Sequence, residues 1–256
     1  MKKKIILLTS LLVLVTSCNS LNAYKSDAES FANRKNNPDV LNKVTFKGVF
    51  KGVLDDEKAN YLSLTNIDIS KRYLYNIVYN LGYEEGTLES ASNMVPQSLE
   101  LYYINDLNYG ILNHYASGSG RWVMESKDQI QFLLMFEALT ETLFRYTYNY
   151  WTFDRFNSYE DYYNEIIPAG NIAYSNILTK DEVIKDGYKV LTIKTKKNNS
   201  YSTITLTMDN YLVTTHCNIE TKNYSSSTIS DDYLISTYYY DYSIDYNSDF
   251  TYRTSI

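Results

Sequence analysis

Apolar residues recur at every second position through much of this chain. In the stretch from residue 44 to 54, Val44, Phe46, Phe50 and Leu54 share one face with Gly48 and Gly52. That spacing predicts a β-strand. The two glycines leave room for another element to come close, or mark bends. A second strand is expected over residues 61–69, where Leu62 and Leu64 give way to Ile67 and Ile69. The change of face predicts a bulge. Tyr73, Tyr75, Ile77, Tyr79 and Leu81 form one face of a third strand, and residues 84–96 read as a loop. Leu99, Leu101 and Tyr103 continue the pattern, followed by residues 109–115, a Gly- and Ser-rich turn at 116–120 and a short strand at 121–124. The last third predicts a meander with strands near 188–196, 201–209, 211–221 and 233–243, joined by polar turns. Alternation this clean marks an antiparallel sheet.

Helical period appears in between. Ser26 and Glu29 make a capping box, and Asn37-Pro38 restarts a helix broken over 26–43. Ser126 and Gln129 make another, ahead of the stripe Phe132, Phe136, Leu139 and Leu143. Ile130, Leu133 and Leu134 widen that stripe, so it should pack against the sheet. Residues 146–156 are aromatic without helical period, and Ser158 caps a short helix that ends before Pro168. Thr179 with Glu182, and Gly187 as a terminating residue, predict one more helix. The order of elements predicts an α+β fold, in which about ten antiparallel strands form a barrel or a curved half-barrel packed on helices.

The first eighteen residues differ in kind. Lys2, Lys3 and Lys4 precede an apolar run from Ile5 to Val15, interrupted only by Thr9 and Ser10. At about 11 residues it is short of the roughly 20 that a helical span needs. It reads as a secretory signal. Val15-Thr16-Ser17-Cys18 resembles the lipobox of bacterial lipoproteins. The resemblance implies a lipid thioether on Cys18, a signal peptide over 1–17 and a tether over 18–25. A single domain over 26–246 and a tail over 247–256 would follow. The address would be the cell membrane, lipid-anchored, outside the cytoplasm.

Charge narrows the partners. The chain has 24 Lys and Arg against 30 Asp and Glu, a net charge of −6. Loss of Lys2, Lys3 and Lys4 with the leader leaves 21 against 30, or −9. An acidic domain without a basic cluster does not suit nucleic acid. Lipidation of Cys18 would leave Cys217 without a partner, so the domain would have to be stable without a disulfide.

No catalytic centre emerges, and no enzyme activity, metal or cofactor is expected. His216 and Cys217 are adjacent and point to opposite faces of a strand, so Cys217 should be a buried, unreactive thiol. His114 lies far off in sequence. Ser117-Gly118-Ser119-Gly120 fits neither a nucleophile elbow nor a phosphate loop. Acidic runs at 55–57, 84–85 and 231–232 read as solvated turns.

The layout is similar to that of the LolA, LolB and LppX-like lipoprotein carriers. The likeness starts at the N-terminal helix leading into Val44-Thr45-Phe46-Lys47-Gly48. It continues through the strands ending at Gly120-Arg121-Trp122, the helix from Ser126 and the closing meander. It implies an apolar hollow between sheet and helices that accepts a lipid or other apolar ligand. Tyr73, Tyr75, Tyr79, Phe132, Phe136, Tyr238 and Tyr240 are the candidate lining residues. The 28 tyrosines open an alternative, a surface adhesion or interaction protein that grips a partner with tyrosine-rich strand faces.

Overall fold

The structure is a computed structural model. It describes residues 23–54, 57–82, 86–91, 93–94, 96–105, 108–115, 122–124, 134, 136–138, 140, 143–144, 153–166, 176–225 and 233–253. The expected signal segment and Cys18 lie outside these residues, as do Phe132 and the Ser126–Gln129 capping box.

Helix α1 (Asp27–Asn36) begins where the Ser26 hydroxyl accepts the Glu29 amide at 3.2 Å. Pro38 opens a 3-10 turn, Pro38–Leu41. Six strands follow: β1 (Lys43–Leu54), β2 (Glu57–Asp68), β3 (Tyr73–Gly82), β4 (Ser98–Asn105), β5 (Asn108–Tyr115) and β6 (Trp122–Met124). The loop expected at 84–96 holds one helical turn, α2 (Leu88–Ala91), capped reciprocally by Thr87 and Ser90. A second 3-10 turn (Phe153–Arg155) precedes α3 (Tyr159–Ile166), whose Ser158 hydroxyl accepts the Asp161 amide as expected. Five strands close the chain: β7 (Asn176–Lys185), β8 (Tyr188–Lys197), β9 (Ser200–Met208), β10 (Thr214–Tyr224) and β11 (Leu234–Tyr246).

All eleven strands form one open antiparallel sheet in the order β6-β5-β4-β3-β2-β1-β11-β10-β9-β8-β7. It is two meanders laid side by side, joined where β1 pairs with β11 from Val44↔Tyr246 to Leu54↔Ser236. The α+β class and the antiparallel half-barrel expected from the sequence are what the chain forms.

One face, here called inner, carries Phe46, Leu191, Ile193, Ile204, Leu206, Cys217 and Ile244, all buried. Tyr162 of α3 with Phe153 and Phe156 covers it over β8–β10. Val40, Leu41, Phe136 and Phe144 cover it over the start of β1 and the end of β2. Tyr73, Tyr75, Ile77 and Leu99 pack on the opposite, outer face.

Four expectations are corrected. Residues 179–187 are not a helix. They form most of β7 and a two-residue hairpin turn in which Asp186 (φ 52°) and Gly187 (φ 80°) both take positive φ. Asp-Gly is the pair such a turn demands, and β8 supplies the pairing that a lone helix would lack. Nor does β2 bulge between Leu64 and Ile67. Its register with β1 is continuous and both faces are covered, so Leu62 and Ile67 are each buried. The irregularity lies at Asn60/Tyr61, against β3. Leu134 is 62 % exposed and leaves the stripe, whereas Phe136, Thr140 and Phe144 are buried. Finally, β10 starts at Thr214. Residues 209–213 are a turn in which the Asp209 carboxylate accepts the Tyr211 and Val213 amides at 2.8 and 3.1 Å.

Candidate functional site

The sheet register lays aromatic rings across three strands of the inner face, with Ile219 of a fourth beside them. Tyr61 of β2 is opposite Phe50 of β1, which is opposite Tyr240 of β11, which is opposite Ile219 of β10. Phe50 is central: its ring lies 5.6 Å from Tyr61, 6.1 Å from Tyr238 and 4.7 Å from Tyr240. Tyr240 stacks on Tyr242 at 6.4 Å and 9°. These five rings form a half-buried shelf, whose Tyr242 end packs against the core beneath α3.

The glycines of β1 leave room for these rings. A Cβ at Gly48 would sit 2.8 Å from the Tyr242 ring and 2.4 Å from the Ser63 hydroxyl. A Cβ at Gly52 would meet the Phe50 ring at 3.0 Å. What comes close to Gly48 is thus the cross-strand pair Ser63 and Tyr242, and to Gly52 first the Phe50 ring of its own strand and then Tyr238 at 3.4 Å. Phe50 and Tyr61 were missed as site residues, because cross-strand neighbours are set by register and sequence spacing does not give register.

The expected site residues divide between the two faces. Tyr238 and Tyr240 belong to the shelf. Phe136 is buried in the inner core near Phe46 and Phe144. Tyr73, Tyr75 and Tyr79 are on the outer face, where residues 250–253 strap across Tyr73 and Tyr75. Tyr252 packs edge-on against Tyr73 at 5.1 Å and donates its hydroxyl to Asp68 at 2.6 Å. The Arg253 amide donates to the Tyr73 hydroxyl at 2.9 Å, and its guanidinium to the Tyr75 hydroxyl at 3.0 Å. Burial raises both phenol pKa values.

A second polar cluster fixes the start of the domain. Lys189 of β8 is 2 % exposed. Its ammonium donates to Asp27 and Glu182 at 2.7 Å each, and to the Tyr159 hydroxyl. All three of its N–H bonds are thereby used. Tyr24 donates to Asp27 and Tyr163 to Glu182. Burial alone would raise the Asp27 carboxyl, but the bonds from Lys189 and Tyr24 outweigh it and bring it below the usual value. Burial pushes the Tyr24 and Tyr159 phenols up. The Tyr24 amide also donates to the Gly187 carbonyl at 2.6 Å, which ties the N-terminal segment to the β7–β8 hairpin.

Cys217 is buried on the inner face, and burial pushes its thiol up to about 12, so it stays protonated and unreactive. His216 points outward, 2.9 Å from Asp241, into a groove of about 500 Å³ beside α2. His114 is on β5, six strand positions from β10, or roughly 29 Å at the usual strand spacing. Among the described residues no group of three His, Cys, Asp or Glu is placed to hold a metal ion, and no helix is long and apolar enough to cross a membrane.

No family model matches the chain, and no curated protein does. Among solved structures, the chain is similar to a DUF1329 family protein from Desulfovibrio piger at 10 % identity. That match covers 88 % of this chain and 93 % of the other, with a TM-score of 0.28. It is similar also to a domain described as an outer membrane lipoprotein-sorting protein, from Vibrio parahaemolyticus. There the identity is 9 %, the cover 88 % and 94 %, and the TM-score 0.29. Likeness of this order says nothing of ligand or activity.

Proposed function

We propose that this protein is a lipid-anchored, extracytoplasmic binding protein that takes a lipid or other apolar ligand on the inner aromatic shelf. The shelf carries the reading. Phe50, Tyr61, Tyr238, Tyr240 and Tyr242 pack ring against ring beside Gly48 and Gly52, which leave room for them. Ring faces give acyl chains a broad apolar contact, and the tyrosine hydroxyls supply polar groups at its margin. The anchor rests on the Val15-Thr16-Ser17-Cys18 lipobox. The adhesion alternative needs an exposed tyrosine surface, and Tyr73 and Tyr75 lie beneath the strap.

The test is binding of a fluorescent fatty-acid probe to the full chain and to Phe50→Ala and Tyr240→Ala. Saturable binding that both substitutions weaken supports the reading. Binding equal in all three proteins, or none in any, overturns it. Cys18→Ala should move the protein from the membrane fraction or stop its processing, and unchanged membrane association would remove the anchor.

A further inference from the structure

We propose that the tip of the β7–β8 hairpin is a membrane-contact surface, seated on the interface of the bilayer that holds the anchor. The inference rests on the lipid-anchor reading above and adds how the domain sits. Val183 and Ile184 are 55 % and 57 % exposed, and Tyr188, just across the turn, is 41 % exposed. Val183 and Tyr188 point to one face of the hairpin and Ile184 to the other, so the tip is apolar on both sides. Among the described residues β7 is the edge strand of the sheet.

The exit of the chain selects this patch. The Tyr24 amide is bonded to the Gly187 carbonyl, and Ala23 lies against Gly187, 3.2 Å from where its Cβ would be. Lys189 and Asp27 lock the same segment from the inner side. Cys18 precedes Ala23 by five residues, which even fully extended reach only about 18 Å. A lipidated Cys18 therefore keeps the hairpin tip within that distance of the bilayer. Tyr233 and Leu234 are equally exposed, but the register puts them at the opposite end of the strands, next to the Lys197–Ser200 turn.

The chemistry of the tip suits an interface. Tyr188 brings an amphipathic ring of the kind enriched at headgroup depth, and Lys185 can lay its stem along the apolar surface with its charge in water. Lys180 and Lys185 are offset by Asp181, Glu182 and Asp186. Contact should thus be apolar in character and indifferent to anionic lipid.

The test uses the full chain as the cell processes it, carrying an environment-sensitive fluorophore at Val183→Cys, Ile184→Cys or, as a control, Lys197→Cys. The protein is reconstituted in vesicles of phosphatidylcholine, with and without phosphatidylglycerol, that contain nitroxide-labelled lipid. Expected are blue-shifted, quenched emission at 183 and 184 and neither effect at 197, in both lipid mixtures. Protein that floats with the vesicles while 183 and 184 remain unquenched overturns the contact and leaves the anchor standing. Protein that does not float, with an unmodified Cys18 by mass, overturns both. A second copy paired along β7 would give a dimer in detergent with unquenched probes, and that result overturns the proposal too.

Discussion

Gly48→Ala probes the aromatic shelf at its floor. The added methyl would stand 2.4 Å from the Ser63 hydroxyl and 2.8 and 3.0 Å from two carbons of the Tyr242 ring. The Ser63 contact relaxes by rotation to another staggered well. The ring contact does not relax so easily, because Tyr242 stacks on Tyr240, and Tyr240 packs against Phe50. Replacing a strand glycine by alanine gains roughly 0.5–1 kcal/mol of backbone entropy. Forcing an extra methyl into a packed site costs roughly 1–3 kcal/mol. The second effect wins, for a net loss of about 1–2 kcal/mol. Gly52→Ala, whose nearest ring contact is 3.0 Å, should cost less. Urea unfolding reads the loss as a lower midpoint at unchanged slope. The decisive comparison is a double-mutant cycle with Tyr242→Val. If the Tyr242 ring causes the cost, Gly48→Ala becomes neutral or stabilising once the ring is gone. An equal loss in both backgrounds would refute the reasoning.

Further outcomes follow from the buried polar groups. Lys189→Met should destabilise by about 2–3 kcal/mol, below the usual cost of breaking a buried ion pair because Asp27 and Glu182 are partly solvated; unchanged urea midpoint and unchanged proteolysis at Lys25 would contradict it. Tyr252→Ala removes a ring from Tyr73 and a hydrogen bond to Asp68, for about 2 kcal/mol, and should let solvent quench Tyr73 and Tyr75. Burial pushes the Asp209 carboxyl up to about 6. The folded state then holds this proton more tightly than the unfolded chain, so the group favours folding increasingly as pH falls from about 6 towards 4, by at most about 3 kcal/mol. Asp27 and Asp68 have lowered values. Their contribution is present above the ordinary carboxylate range and lost as pH falls through their folded values. Stability should therefore rise from pH 7 to 5 and drop below 4, and Asp209→Asn should flatten the rise. A wild-type midpoint that falls from pH 7 to 5 would contradict this.

Much of the fold was legible because period two dominates strands that are half-covered. The limits of β1, β3 and β8 follow from alternation and turn residues, and the α1 and α3 starts from Ser26 and Ser158. β7 reads as a helix from sequence because Thr179, Glu182 and Gly187 satisfy helix-end rules as well as strand and turn rules. Only pairing with β8 decides between them. Leu62 and Ile67 read as a bulge because both faces of β2 are covered, a tertiary fact. The site was legible in part. Tyr238 and Tyr240 stood out by alternation, but Phe50 and Tyr61 join them only through register. The strap that closes Tyr73 and Tyr75 comes from residues 250–253, far off in sequence. Nothing in the spacing around Lys189 marks it, since its partners come from α1, α3 and β7.

The most direct measurement is mass analysis of what the protein carries. Full-length protein, extracted in mild detergent, is analysed intact and after solvent extraction, beside Tyr240→Ala. Retention of a stoichiometric lipid or other apolar molecule by the wild type, depleted in Tyr240→Ala, is the predicted result. A wild-type protein carrying nothing but the modification on Cys18, and taking up no added phospholipid or fatty acid, would contradict the central claim.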